Sequence, residues 1–319
     1  MIVLFDTNAY RDLSSRKTYD DVVKDINTII EAEAKKDIKA FMSTTVALEL
    51  MYHLSDPATW NSYRSCINAA PAMYLHCKEN NSFRVLPLPE VQIAKAYFGV
   101  DNTKSISTQE AIGQIFYDLS TGDPNKVVQK HKANITKAHD FIVQAEAAIA
   151  EEVDKYLTYS DPYYKHDWNP FVNDQSNRTK YLNMIRSEDF LNTSAYCMLA
   201  AVAFYLNSVR LNVKMPEGEE QKHMIEIFKQ DYSVALYFRQ KFFEYAANGG
   251  FDVTKDSRAN YRWDEYILHC AGHSVNGEPI MIVTTDGNMT TAMEKFNVPH
   301  MSLVEYLNYI GVSIQIHYV

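Results

Sequence analysis

The chain has 319 residues, of which 46% are hydrophobic and 22% charged, with only 10 Gly and 10 Pro. These values exclude a disordered chain and a loop-rich β protein, and the length allows one large domain or two ordinary ones. A net charge of −9 argues against nonspecific coating of nucleic acid, although a local basic patch suffices for phosphate contact.

From the start, the apolar run Ile2-Val3-Leu4-Phe5 predicts a buried strand that ends at Asp6. No basic region precedes an apolar core here, so no signal peptide is expected. The spacing of Val22, Ile26, Ile29 and Ile30 predicts a helix over 20–34, and 38–42 reads as a short strand. Ser43, Thr44 or Thr45 caps the next helix, which carries Glu49 within an otherwise uncharged stretch. Asp56-Pro57 ends or turns that helix.

The pattern from 61 to 231 is mostly helical, with helices expected over 90–98, 108–119, 127–156 and 187–211. The stretch 190–209 carries no charge, but its truly apolar part, 195–206, is short for a bilayer, so a core helix is expected. Lys126, Lys130 and Lys137, beside His131 and Lys132, fall near one helix face; a solvated face is the plainer reading and a nucleic-acid surface the sharper one. Residues 161–170 form a turn-rich loop whose Tyr163, Tyr164 and Trp168 either stack on unpaired bases or pack the loop. A turn at 216–220 leads into the C-terminal segment.

There, 232–247 predicts a helix stopped at Gly249-Gly250. Another helix begins near Trp263 and sets Asp264 on the face of Ile267, Leu268 and Ala271. The apolar strand 280–284 resembles a central parallel strand and leads to Asp286. Ser302 and Glu305 form a capping box, with Gly311 as the stop. Val312, Ile314, Ile316 and Tyr318 alternate with polar residues, which predicts a half-exposed edge strand. Strands at both ends with helices between predict an α/β core of residues 1–60 plus 232–319, interrupted by a helical insertion at 61–231.

Four cysteines without a C-x-x-C pair argue against a zinc ribbon and fit a reducing, cytoplasmic setting. His269 and His273 share a helix face, yet no H-E-x-x-H accompanies them, and helix-end histidines are the plainer reading.

Asp6, Glu49, Asp264 and Asp286 stand where acids are scarce. An unpaired buried carboxylate protonates or finds a partner, and a hard divalent cation can serve several at once. Each acid also has a plainer reading: a strand-end turn for Asp6, a solvated helix position for Glu49, an N-cap for Asp264 and a D-G turn for Asp286. Glu265 adjoins Asp264, so the third acid could be off by one.

Asp6-Thr7-Asn8 at a strand end, Glu49 in a Ser/Thr-capped helix, Asp264 ahead of apolar helix residues and Thr284-Thr285-Asp286-Gly287-Asn288 after a strand resemble, in order, the acidic motifs of PIN-domain ribonucleases. The resemblance covers the first segment, to about Asp56, and the last, from about Tyr232; the long middle segment departs from the family. It implies a three-layer α/β/α fold with a central parallel sheet and a metal-dependent endoribonuclease. Mg²⁺ or Mn²⁺ would be held by Asp6 and Asp264, by Asp286 directly or through water, and by Glu49 through water or a second ion. Asn8, Thr284 and Asn288 would support the site, and Arg11, Arg258 and Arg262 would meet the RNA backbone. A toxin or defence role, a regulatory protein partner and a homo-oligomer are compatible with this family likeness, and no membrane partner is expected. A non-catalytic RNA-binding scaffold and a structure-specific DNA nuclease are the rival readings.

Overall fold

The segment Ile2–Phe5 forms strand β1, buried along its whole length, as an apolar run flanked on both sides must be. In this computed structural model the described residues are 1–55, 60–80, 82–101, 104–160, 174–250 and 260–318. The chain is mixed α/β with a small, mostly parallel sheet. It divides into two compact units: residues 1–88, 102–142 and 270–319, and residues 89–101 and 143–269. The stretch 61–231 is therefore shared between both units, and 232–269 lies in the second.

In the first unit, β1 leads to helices α1 (Thr7–Ser14) and α2 (Tyr19–Ala34). Thr18 and Asp21 build a capping box for α2. Two short strands follow, β2 (Lys39–Ala40) and β3 (Met42–Ser43), then helix α3 (Thr44–His53). The expected single strand at 38–42 is thus broken at Phe41. Its two halves face different partners: Lys39 and Ala40 pair with β1, whereas Met42 and Ser43 pair with β6 (Val85–Leu86). The expected end of α3 at Asp56-Pro57 lies outside the described residues.

Helix α4 (Trp60–Cys77) then packs against α1, α2, α3 and the later α6 (Lys104–Thr121). Between α4 and β6 lies a small hairpin of β4 (Lys78–Glu79) and β5 (Ser82–Phe83). Burial on many sides leaves α4 without a clear polar face, and Pro71 sits inside it. Both features hide a helix from periodicity. The helix expected at 127–156 is two helices, α7 (Pro124–Lys130) and α8 (Lys132–Ser160), separated at His131; the division between units falls within α8, after Ile142. That break overturns the single lysine stripe. Lys130 and His131 instead bond Asp118 at 2.6 and 2.7 Å.

The sheet is completed by β7 (Ser274–Val275), β8 (Glu278–Val283) and β9 (His300–Met301), with helices α14 (Gly287–Lys295) and α15 (Leu303–Ile310). Strand β1 is parallel to β2 on one side and β8 on the other, while β9 runs parallel to β8 and β7 antiparallel to it. Helix α15 has the Ser302–Glu305 capping box, and Gly311 stops it in the left-handed region at φ 77°. The expected edge strand at 312–318 does not form a ladder among the described residues. Val312 is buried while Ser313 and Gln315 are exposed, so the alternation reports a half-covered segment rather than strand pairing.

The second unit is helical: α5 (Pro89–Phe98), α9 (Gln175–Ile185), α10 (Glu188–Ser208), α11 (Gly218–Asp231), α12 (Ser233–Tyr245) with a π-type turn at Ala246–Gly250, and α13 (Asn260–Leu268). Helix α11 starts inside the stretch expected as a turn, with Glu217 as its N-cap. Helix α10 is long and apolar enough to cross a membrane by length and composition. Leu199, Val202 and Leu206 of its buried face pack with Ile93, Phe228 and Tyr232, while Tyr196 and Phe204 stay exposed; it is half covered rather than a core helix. The aromatic loop at 161–170 lies outside the described residues.

Candidate active site

The order β2-β1-β8 sets the place where ligands are expected. The chain leaves β1 toward β2 on one side and reaches β8 on the other, so a switch in direction falls between β1 and β8. Open α/β sheets bind ligands outside the carboxyl ends of strands at such a point. The residues that follow these two strands are Asp6 and Thr284.

Asp6 is 3% exposed. Its Oδ1 accepts the backbone N–H of Ala9 at 2.6 Å, capping α1. Its Oδ2 accepts the Thr284 hydroxyl at 2.6 Å, which ties the ends of β1 and β8 together. The Thr284 oxygen in turn accepts the N–H of Asp286 at 3.0 Å. Asp286 caps α14 through Oδ1, which takes the N–H groups of Asn288 and Met289 at 2.8 Å each. The plain readings of Asp6 and Asp286 as turn or cap residues are therefore both realised. A carboxylate oxygen has two lone pairs, and capping does not exhaust either side chain.

Electrostatics separate this site from ordinary caps. The Asp6 carboxyl is pushed up to about 6, by burial first and then by the nearby Asp12 and Asp286 carboxylates, against the lowering effect of the Thr284 and Ala9 bonds. No lysine or arginine pairs with Asp6 or Asp286 among the described residues. A third acid joins from α3: Thr7, next to Asp6, donates its hydroxyl to Glu49. Glu49 is half-buried, at the first turn-and-a-half of a helix whose other early residues are buried. In the first unit Asp12 and Asp286 thus act on Asp6, and Glu49 is tied to the neighbouring Thr7. Beside Thr284 a cleft of about 540 Å³ opens, lined by Thr285, Thr290, His300, Ser302 and Glu305 among others.

Asn8 and Asn288 are exposed at the starts of α1 and α14. Arg11 is half-buried, and its Nε donates to Ser65 at 3.1 Å. Arg258 lies outside the described residues.

Asp264 belongs to the second unit and is half-buried on α13. The buried acid of that helix is its neighbour Glu265, 4% exposed. Arg239 donates to both Glu265 oxygens at 3.0 and 3.1 Å, which makes that carboxylate one half of a closed ion pair. Arg262 is also engaged within its unit. It donates to the Tyr266 hydroxyl at 2.9 Å and lies 4.5 Å from that ring's centroid.

Asp12 and a buried network beneath α1 were not singled out by sequence. In that network Tyr306 donates to Glu33, Glu33 bonds Nε2 of His76 at 2.9 Å, and Nδ1 of His76 meets the Tyr10 hydroxyl at 3.0 Å. These residues come from α2, α4, α1 and α15, and no local spacing links them.

A divalent cation makes strict demands on the number and spacing of its oxygen donors. Among the described residues no three His, Cys, Asp or Glu side chains converge at ligand spacing. Mg²⁺, however, usually keeps several waters and is held by one or two carboxylates plus substrate oxygens. Two hard-oxygen donors without a cationic partner, Asp6 and Asp286, fit that smaller requirement. The chain matches no protein-family model, no curated protein and no solved structure.

Proposed function

We propose that the chain is a divalent-metal-dependent endoribonuclease with a PIN-like core. The observation that carries the reading is a buried carboxylate, Asp6, at the switch point between β1 and β8, crowded by other carboxylates and without a cation to neutralise it. Crowded acids resist ionising together, and a fold that keeps such a conflict next to a cleft points to function. The parallel pairings support the PIN-like assignment: β6 with β3, and β2, β1, β8 and β9 in succession.

Mg²⁺ or Mn²⁺ would be held by Asp6 and Asp286, with Glu49 acting through water. When bound, it supplies an activated water and stabilises the leaving oxygen of a phosphodiester. The protein's own residues set the stage. The Thr284 hydroxyl fixes the plane of the Asp6 carboxylate, and Thr7 holds Glu49 in place. The N-termini of α1 and α14 begin beside Asp6 and Asp286, and helix N-termini favour anionic groups such as phosphate. Asn8 and Asn288 are exposed at those termini, where a phosphate would lie.

Incubation of labelled single-stranded and structured RNA, with matched DNA, in Mg²⁺ or Mn²⁺ tests this reading. The expected result is internal RNA cleavage that Asp6→Asn lowers roughly 100-fold or more, since removing even an outer partner of a metal ligand typically costs up to that much. Equal cleavage by wild type and variant would assign the activity to a contaminant. Metal-dependent cleavage of DNA alone would make the protein a DNA nuclease. Metal binding without turnover on either would make it a scaffold.

A further inference from the structure

One helical turn away from the acids lies a group of opposite character. The hydrogen bond from Thr7 to Glu49 joins α1 to α3. Four residues on from each partner come Arg11 and His53, about 6 Å along each helix axis. Side chains four apart share a helix face, so Arg11 and His53 stand one turn on from Thr7 and Glu49 on the same faces of α1 and α3. The electrostatics agree with that placement. Burial first, then the Arg11 charge, hold the His53 imidazole down to about 4. Helix α4 presents Ser65, which accepts the Arg11 Nε at 3.1 Å and donates to the Ser62 carbonyl at 3.0 Å. Ser65 therefore fixes the guanidinium plane and leaves the Arg11 Nη groups to other partners.

Arg11 forms no ion pair among the described residues, and neither ring nitrogen of His53 is hydrogen-bonded there. A half-buried guanidinium without a carboxylate carries a desolvation cost that an incoming anion offsets. The same charge that disfavours imidazolium in the free protein is neutralised when that anion arrives, and His53 can then take up a proton and donate as well.

We propose that Arg11 and His53 form a phosphate subsite, one helical turn from the acids, that takes the phosphate next to the scissile one. The inference rests on the nuclease reading for the word "next" and on its own geometry for the anion. It makes the substrate a polynucleotide with at least two phosphates, read by backbone rather than by base.

The test monitors the ring protons and ¹³Cε1 of His53 by NMR, assigned with His53→Gln, without divalent metal so that no cleavage occurs. The probes are inorganic phosphate, UpU and UpUpU. The expected result is a shift of the His53 resonances with every probe, strongest with UpUpU, and a His53 pKa raised by more than about one unit, tenfold in proton affinity. Arg11→Gln abolishes the ligand response and raises the His53 pKa in the free protein. Arg11→Lys, which keeps the charge, retains part of the response and guards against a folding defect. In cleavage assays Arg11→Gln raises KM about tenfold, the value of one charge-assisted hydrogen bond, with kcat kept. It also flattens the salt dependence. A His53 signal that ignores all three probes, with KM unchanged, overturns the subsite while leaving the nuclease reading intact. A ligand response in a protein that cleaves nothing overturns the nuclease reading and leaves an anion site.

Discussion

Asp6 and Glu265 are buried to the same degree, 3% and 4% exposed, yet they are opposite kinds of buried acid. Glu265 lies in the helical unit and meets both its oxygens with Arg239. Asp6 lies at the end of β1 and meets a hydroxyl, an amide and the field of two more carboxylates. A buried ion pair with its hydrogen bonds satisfied specifies packing. A buried carboxylate among carboxylates leaves a charge to be completed from outside. The contrast teaches that burial alone does not distinguish the two acids; the groups each one meets do.

The comparison breaks most sharply at Arg239. Arg239→Ala leaves Glu265 buried without its cation, and chemical denaturation is expected to show a loss of about 3–5 kcal/mol. A loss under about 1 kcal/mol would mean that the pair is not closed. Glu33 extends the same logic to the first unit, where Tyr306 and His76 satisfy it. Glu33→Ala should cost a similar amount, through the orphaned His76 and Tyr306.

Asp6 should behave in the reverse way. Its folded carboxyl titrates near 6 against an ordinary 3.8, so the native state holds more protons than the unfolded chain between those values. Stability is then fullest below about pH 4 for this group and declines as pH rises through about 6, by roughly 3 kcal/mol. Asp6→Asn removes the charge and is expected to raise stability at pH 7.5 while removing the proposed nuclease activity. A loss of stability in that variant would show that the Thr284 and Ala9 bonds outweigh the burial cost. A smaller effect sits at Thr284. Thr284→Val deletes one hydrogen bond to Asp6, should raise the Asp6 pKa further, and should cost about 1–2 kcal/mol, seen as an upward shift of the pH at which activity rises.

Much of the first unit was legible because local signals and tertiary roles coincide there. The runs Ile2–Phe5 and Glu278–Val283 are buried strands because each has a neighbour on both sides. The capping box at Ser302 and Glu305 works through atoms three residues apart. Helix α4 was hidden because its surroundings bury nearly all of it and because Pro71 mimics a boundary. The strand expected at 312–318 failed for a different reason: alternation reports which side chains are covered, and pairing needs a partner with free backbone groups. At the site, Asp6, Glu49 and Asp286 stood out as acids in apolar surroundings. Asp12 did not, because it follows Arg11 in a polar stretch and only the fold turns it inward. His53 and Ser65 acquire their roles from α1, across gaps of 42 and 54 residues between Arg11 and each partner, which no spacing rule bridges. On α13 the neighbouring pair Asp264 and Glu265 could be told apart only by depth, and Glu265 is the buried one.

The most direct test of the proposed cation site at Asp6 is a Mn²⁺ titration followed by calorimetry at pH 5 and pH 7.5, on wild type and on Asp6→Asn. The expected result is binding at pH 7.5 that weakens sharply at pH 5, as Asp6 takes up its proton, and that is absent from Asp6→Asn at both values. Equal Mn²⁺ affinity in wild type and Asp6→Asn at pH 7.5 would contradict it.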